Sequence, residues 1–193
     1  MAGVQSTNIY MMPPFKGQCM ETNQGRKFTL SPGQLKRLKV FADMTEQQVS
    51  VFADSVEPIQ AKANHIIIKS NEPGDCMYLL LDGDVRVSEF VEGRETMLAT
   101  LETGDFFGEM SLVDQRPRSA DVVANRDCTL LKITKQAFDQ VIVDHPDTAS
   151  RFLLGILRTV AGRLRKLDKK YGDSMLLSRY WSPGASPQPK RAP

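Results

Sequence analysis

Residues Phe107 to Ala124 read FGEMSLVDQRPRSADVVA. Gly108 carries no Cβ, so backbone amides there can approach an anion closely. Glu109, Met110, Ser111 and Leu112 suit one helical turn, and the free N–H groups at a helix start are a natural phosphate site. Pro117 fixes its own φ and ends a helix before Arg118. Arg118 offers a planar, permanently charged fork that matches phosphate oxygens. Ser119 adds a hydroxyl, and Asp121–Ala124 returns to strand-forming residues. An acidic residue at a helix start and an arginine past a turn suit a ligand with a sugar hydroxyl and a phosphate close together. The simpler alternative is a surface turn in which Glu109 and Arg118 pair with each other or face water.

Around this stretch the chain reads as short β runs separated by turn residues. Strands are predicted at Val56–Ala61, His65–Lys69, Met77–Leu81, Val85–Val91, Glu95–Leu101, Asp121–Ala124 and Thr129–Ile133. Turn signals lie at Glu72-Pro73-Gly74-Asp75, Asp82-Gly83-Asp84, Glu92-Gly93 and Thr103-Gly104-Asp105. Many short strands at even spacing point to a β sandwich or barrel spanning about 56–133. Asn64 occupies a turn and tolerates a left-handed backbone.

Helices flank the β region. Ser31 before Pro32 is a helix start that places Leu35, Leu38 and Phe41 on one face. Thr45-Glu46-Gln47-Gln48 reads as a capping box, with Val49, Phe52 and Ala53 inward. After the strands, Thr134 caps a helix over 135–143, and His145-Pro146-Asp147 breaks it. A longer helix follows, from about Asp147 to Lys170. Its Leu153, Leu157, Val160, Leu164 and Leu167 are spaced 4, 3, 4, 3, the a/d seam of a helix pair. Residues 1–30 read as an arm with Tyr10, Met11, Met12 and Phe15 as apolar anchors. Residues 171–193, ending SPGASPQPKRAP, read as a flexible tail. Residues 31–170 are left as the structured unit.

Composition restricts the function classes. The 193 residues are 41% hydrophobic and 25% charged, as in a soluble globular chain. No apolar run approaches the ~18 residues of a membrane span, and no signal peptide is evident. Cys19, Cys76 and Cys128 are odd in number and lack metal-ligand spacing, which suits idle thiols in a reducing cytoplasm. His65 and His145 lie far apart and read as structural. No nucleophile–base pair, metal cluster or P-loop is present, so no enzyme is expected. The net charge of +2 conceals an asymmetry, because residues 148–193 hold ten Lys/Arg against two Asp/Glu. That segment is either a solvated helix face with a basic tail or a surface for nucleic acid, an anionic membrane or an acidic partner.

The register Phe107-Gly108-Glu109, Leu112 and Pro117-Arg118-Ser119-Ala120 resembles the phosphate-binding cassette of the cyclic-nucleotide-binding domain family. Pro73-Gly74-Asp75, Tyr78, Leu80 and Asp82-Gly83-Asp84-Val85 extend the resemblance, which covers roughly residues 35–168. It implies a β jelly roll with short N-terminal and C-terminal helices. It also implies a ligand site at Phe107, Gly108, Glu109, Met110, Ser111, Arg118, Ser119 and Ala120. By that likeness Glu109 takes the ribose 2′-hydroxyl, Arg118 takes the cyclic phosphate, and N–H groups near Gly108 and Ser119 complete the cradle. Val85 and Met97 are candidates for the base pocket. In the family a threonine at the position of Ser119 often favours cGMP, so serine leans the expectation towards cAMP, with cGMP as the alternative. The resemblance further implies that the long helix lids the base and carries the signal to a downstream protein. Its seam can also pair two chains over 147–170. The family's transcription factors add a winged helix-turn-helix after this helix. Only 23 residues follow Lys170, so no DNA-reading module is expected. A nucleic-acid-binding regulator built on the basic segment is the second reading.

Overall fold

A computed structural model describes residues 31–53 and 55–180. The expectations placed on the 1–30 arm, on Cys19 and on residues 181–193 lie outside the described residues.

Eight strands form two antiparallel four-stranded sheets. The strands are β1 (Glu57–Ala61), β2 (Ile66–Ile68), β3 (Cys76–Asp82), β4 (Asp84–Val91), β5 (Arg94–Glu102), β6 (Phe106–Phe107), β7 (Asp121–Ala124) and β8 (Cys128–Thr134). One sheet runs β1-β8-β3-β6 and the other β2-β7-β4-β5. Seven of the eight coincide with predicted strands to within a residue or two. β6 has two residues, too few to show a period of two, and exists because Phe106 and Phe107 pair with Leu79 and Tyr78.

The first sheet is apolar at successive positions because both its faces are covered. Met77 and Leu79 of β3, with Leu131 and Ile133 of β8, face the flanking helices. Leu80 and Leu130 face the space between the sheets, alongside Ile59, Val85, Leu101, Phe107 and Ala124. In the second sheet β5 is an edge strand, and nearly all of its residues are exposed.

Capping chemistry sets the helix starts. α1 (Pro32–Leu35) opens with a capping box, in which the Ser31 hydroxyl accepts from the Gln34 N–H and Gln34 accepts from the Ser31 N–H at 3.0 Å. A 3-10 turn, Lys39–Phe41, follows. α2 (Glu46–Ala53) starts with the predicted box, as Thr45 N–H donates to Gln48 Oε1 at 3.0 Å and Gln48 N–H donates to Thr45 Oγ1 at 3.3 Å. Thr134 Oγ1 accepts from Ala137 N–H at 3.1 Å at the start of α4 (Lys135–Asp144).

His145 alone separates α4 from α5, Pro146–Tyr180. The long helix was expected to stop near Lys170 and runs ten residues further, so residues 171–180 are helix rather than the start of a flexible tail. Phe152 anchors α5, stacking on Phe52 with centroids 4.4 Å apart and meeting Phe41 and Phe138. Ala149 and Ile156 bury beside it. Among the described residues no helix is long and apolar enough to cross a membrane.

Candidate functional site

The expected site is built where β6 ends. Gly108 has φ +78°, a left-handed conformation that glycine adopts without steric cost. This bend turns the chain from β6 into α3 (Glu109–Asp114) and leaves the first N–H groups of α3 at the bend. Gln115 closes α3 in a second left-handed residue, two residues before Pro117. Arg118 is then fixed through its backbone. Its N–H donates to Glu72 O and its carbonyl accepts from Asn71 N–H, both at 2.9 Å.

Glu109 and Arg118 are only 8% and 7% exposed, which excludes a solvated surface turn. The Arg118 guanidinium folds back over the bend, donating to Gly108 O at 3.0 Å and to Cys76 Sγ at 3.3 Å. Gly74 lies beneath it, where a Cβ would fall 2.7 Å from Arg118 Cζ and 2.6 Å from Ser111 Cβ. Ser111 is buried there, while the Ser119 hydroxyl is exposed and donates to Met110 Sδ at 3.8 Å. Burial pushes the Glu109 carboxyl up from its ordinary range. A backbone hydrogen bond and the positive charges of Arg163 and Arg118 oppose that rise. Burial likewise raises the Cys76 thiol, against Tyr78 and Arg118.

The arginine nearest Glu109 comes from α5. Arg163 Nη1 donates to Glu109 Oε1 at 3.5 Å, and Arg163 Nη2 donates to Phe106 O at 2.6 Å. The guanidinium carbon also stands 4.9 Å over the Phe106 ring. A short helix start, two buried opposite charges and a glycine bend are thus gathered at one end of the sandwich. The chemistry on offer is anion binding beside a carboxylate acceptor.

Residues 58–145 match the family model described as the cyclic nucleotide-binding domain. Over those residues the chain is similar to that domain. Related proteins include a CRP-like cAMP-activated global transcriptional regulator of Mycobacterium tuberculosis, 25% identical over 140 residues. That match covers 72% of this chain and 61% of the regulator. A cAMP-dependent protein kinase regulatory subunit of Emericella nidulans is 31% identical over 108 residues, covering 56% of this chain and 26% of the subunit. The crystal structure of the Thermus thermophilus catabolite activator protein superposes with a TM-score of 0.62 at 28% identity, covering 73% of this chain and 63% of that one. The chain spans less than two thirds of the length of these relatives.

Within the matched residues, the expected cassette residues Phe107 to Ser111 and Arg118 to Ala120 gather at the bend. The two base-pocket candidates separate. Val85 is fully buried in the core between the sheets, whereas Met97 is 61% exposed on β5. Sequence reasoning missed two contacts of the cassette, Cys76 and Arg163. Cys76 gives no signal, since an isolated thiol in a strand reads as core. Arg163 is one of several basic residues on a long helix, and only the packing of α5 on Phe106 separates it from Arg158 or Arg165.

Proposed function

We propose that this chain is a cyclic-nucleotide receptor module, with cAMP preferred over cGMP, that relays occupancy through α5 to a partner. The observation that carries the reading is the joint burial of Glu109 and Arg118 around the left-handed Gly108. A buried guanidinium whose hydrogen-bond partners are a carbonyl and a sulfur is a cation without a full counter-charge. An entering cyclic phosphate supplies that charge, and a charge-assisted hydrogen bond contributes ~1.5–3 kcal/mol. Glu109 accepts the ribose hydroxyl, and N–H groups at the α3 start complete the cradle. The related proteins named above are described as cAMP-activated or cAMP-dependent, which supports this ligand class. Nothing in the proposal requires turnover.

The test is calorimetric titration with cAMP, cGMP and cyclic dinucleotides. Arg118→Ala is expected to weaken binding at least tenfold, the factor for ~1.4 kcal/mol. Unchanged affinity in that variant removes the site assignment. The cAMP preference follows from Ser119, whose hydroxyl lacks the methyl that restricts threonine's rotamers. Equal or tighter cGMP binding in competition refutes it.

The second reading, a nucleic-acid-binding regulator, draws on exposed Arg151, Arg158, Arg165, Lys166, Lys169 and Lys170 along α5. Binding through many such charges weakens steeply with salt. A salt titration against duplex and single-stranded DNA separates it from the receptor reading.

A further inference from the structure

The register of the second sheet decides which side chains face the space between the sheets beside the cassette. Val85, Leu101, Val122 and Ala124 belong to the core there, and Val87 packs against it. Side chains alternate along a strand, so Val85, Val87 and Glu89 of β4 share the inner face. Val85 pairs with Ala124 and Leu101, and Val87 pairs with Val122 and Ala99. The pairing of β4 with β7 runs on to Ser88 opposite Asp121, so one step further Glu89 stands beside Ala120 of the cassette. On its other side Glu89 pairs with Thr96. Leu98 is the extra residue of a bulge in β5, because Met97 pairs with Ser88 directly after Ala99 pairs with Val87. Met97 therefore lies on the outer face, where its Sδ meets Thr100 Oγ1 at 3.8 Å.

The inner face changes character towards the cassette. Its deep rows are aliphatic and buried, whereas Ala99, Glu89 and Thr96 are exposed. On the facing sheet Tyr78 stacks on Phe107 with centroids 5.4 Å apart, and that side is filled. Among the described residues neither Glu89 nor Thr96 has a hydrogen-bond or ion-pair partner. A carboxylate only accepts hydrogen bonds, while a threonine hydroxyl also donates. Cβ atoms of such a cross-strand pair stand about 5 Å apart. An acceptor beside a donor matches one purine edge better than the other. Adenine offers its 6-amino donor beside the N7 acceptor, and guanine offers two acceptors, O6 and N7, at the same place.

We propose that Glu89 and Thr96 determine base specificity, Glu89 accepting from the 6-amino group of adenine and Thr96 donating to the neighbouring ring nitrogen. The proposal rests on the receptor reading above and adds the base to its ligand. A nucleotide with its phosphate at Arg118 and its ribose at Glu109 lays its base over Val87 and Ala99, with its polar edge at this pair. Guanine in that place sets O6 against the carboxylate, two acceptors with no proton between them. The selection is separate from Ser119, whose hydroxyl is turned to Met110 Sδ.

The test is calorimetry on the full chain with cAMP, cGMP and the 3′,5′-cyclic monophosphate of purine riboside, which lacks the 6-amino group. Glu89→Ala is expected to weaken cAMP about tenfold or more, the effect of one hydrogen bond to a charged group, and to change the amino-free ligand less than about twofold. Removing the charge also relieves repulsion of the ligand phosphate, but equally for all three ligands, so the comparison cancels it. Glu89→Gln, which keeps an acceptor without the charge, is expected to fall between wild type and Glu89→Ala. Thr96→Val, similar in shape without the hydroxyl, is expected to weaken cAMP about threefold, as for a neutral hydrogen bond. Both side chains are exposed, so denaturation midpoints of the variants are expected to match wild type. Glu89→Ala losing nothing, losing equally for cAMP and the amino-free ligand, or losing cGMP more than cAMP overturns the assignment while the receptor reading stands. A wild-type chain that binds none of the three overturns the receptor reading and this assignment with it.

Discussion

A Cβ added at position 108 would fall 2.7 Å from Arg118 Nη1, 3.0 Å from Ile68 Cδ1 and 3.3 Å from the Cys76 carbonyl oxygen. The φ of +78° adds a backbone penalty of order 1–3 kcal/mol for any other residue. Gly108→Ala is therefore expected to lower stability by about that amount and to displace the Arg118 guanidinium. Urea denaturation and cAMP calorimetry check the two effects separately. Glu109 sets a pH dependence at the same scale. Its native pKa is raised above the ordinary 4.5, so the folded state holds the proton to higher pH than the unfolded chain. The associated stability is fully present below 4.5 and is lost as the pH rises through the raised native value. Glu109→Gln is expected to flatten the stability profile of the ligand-free protein across that window, as denaturant midpoints at successive pH values would show. Glu109 and Arg118 were legible in the sequence because a carboxylate and a guanidinium around a Gly and a Pro carry their chemistry in their side chains. Gly74, Cys76 and Arg163 were not assignable in that way. Their roles come from touching Arg118 and Glu109 across 42 to 54 residues of chain, and no local pattern encodes such a contact.

At the scale of elements, capping residues and turn glycines were the dependable signals. Ser31, Thr45 and Thr134 each cap the helix they precede, and Asn64, Gly83 and Gly104 all adopt positive φ at turns. The end of α5 was less legible, because Gly172 weakens the helical pattern where the helix in fact continues. Gly155 and Gly162 lie seven residues apart on α5, a spacing that puts them near one face of the helix. Packing separates them. A Cβ at Gly155 would collide with the Val40 carbonyl oxygen, whereas nothing lies within 4 Å of one at Gly162. Gly155→Ala is expected to push α5 off the 3-10 turn and destabilise the fold. Gly162→Ala is expected to stabilise it by about 0.5–1 kcal/mol, the difference in helix propensity. Thermal denaturation of the two variants should shift in opposite directions, and a shared sign would mean that Val40 yields or that α5 bends at 162.

At the scale of the whole molecule, the seam of α5 is longer than the five positions read from sequence. Tyr171 and Met175 extend it, and Leu153, Leu157, Leu164, Leu167, Tyr171 and Met175 are all exposed. At 3.6 residues per turn these six fall within roughly 40° of one line along the helix, over a length of ~33 Å. The face that packs on the sandwich lies beside it, carried by Ala149, Phe152, Ile156 and Arg163, and Val160, expected in the seam, is instead partly buried against the same core. Soluble monomers rarely expose a contiguous apolar strip of this extent, and its near-heptad spacing is the pattern that two parallel helices bury together. In such a pair Leu157 and Leu164 take equivalent core positions. Arg163 then sits on the flank facing Asp168 of the second copy, five residues further along. Dimerisation would thus offer Arg163 a second carboxylate besides Glu109, and nucleotide binding and dimerisation become linked. Linkage is reciprocal, so whichever way cAMP shifts the dimer constant, dimerisation must shift cAMP affinity by the same factor. Sedimentation equilibrium is expected to show a dimer for the wild-type chain and a monomer for the Leu157→Glu, Leu164→Glu double variant. Neither leucine packs on the sandwich, so the variant should keep its fold by circular dichroism. A wild-type monomer at all accessible concentrations, with and without cAMP, would rule out pairing through this seam and leave the strip to a different protein.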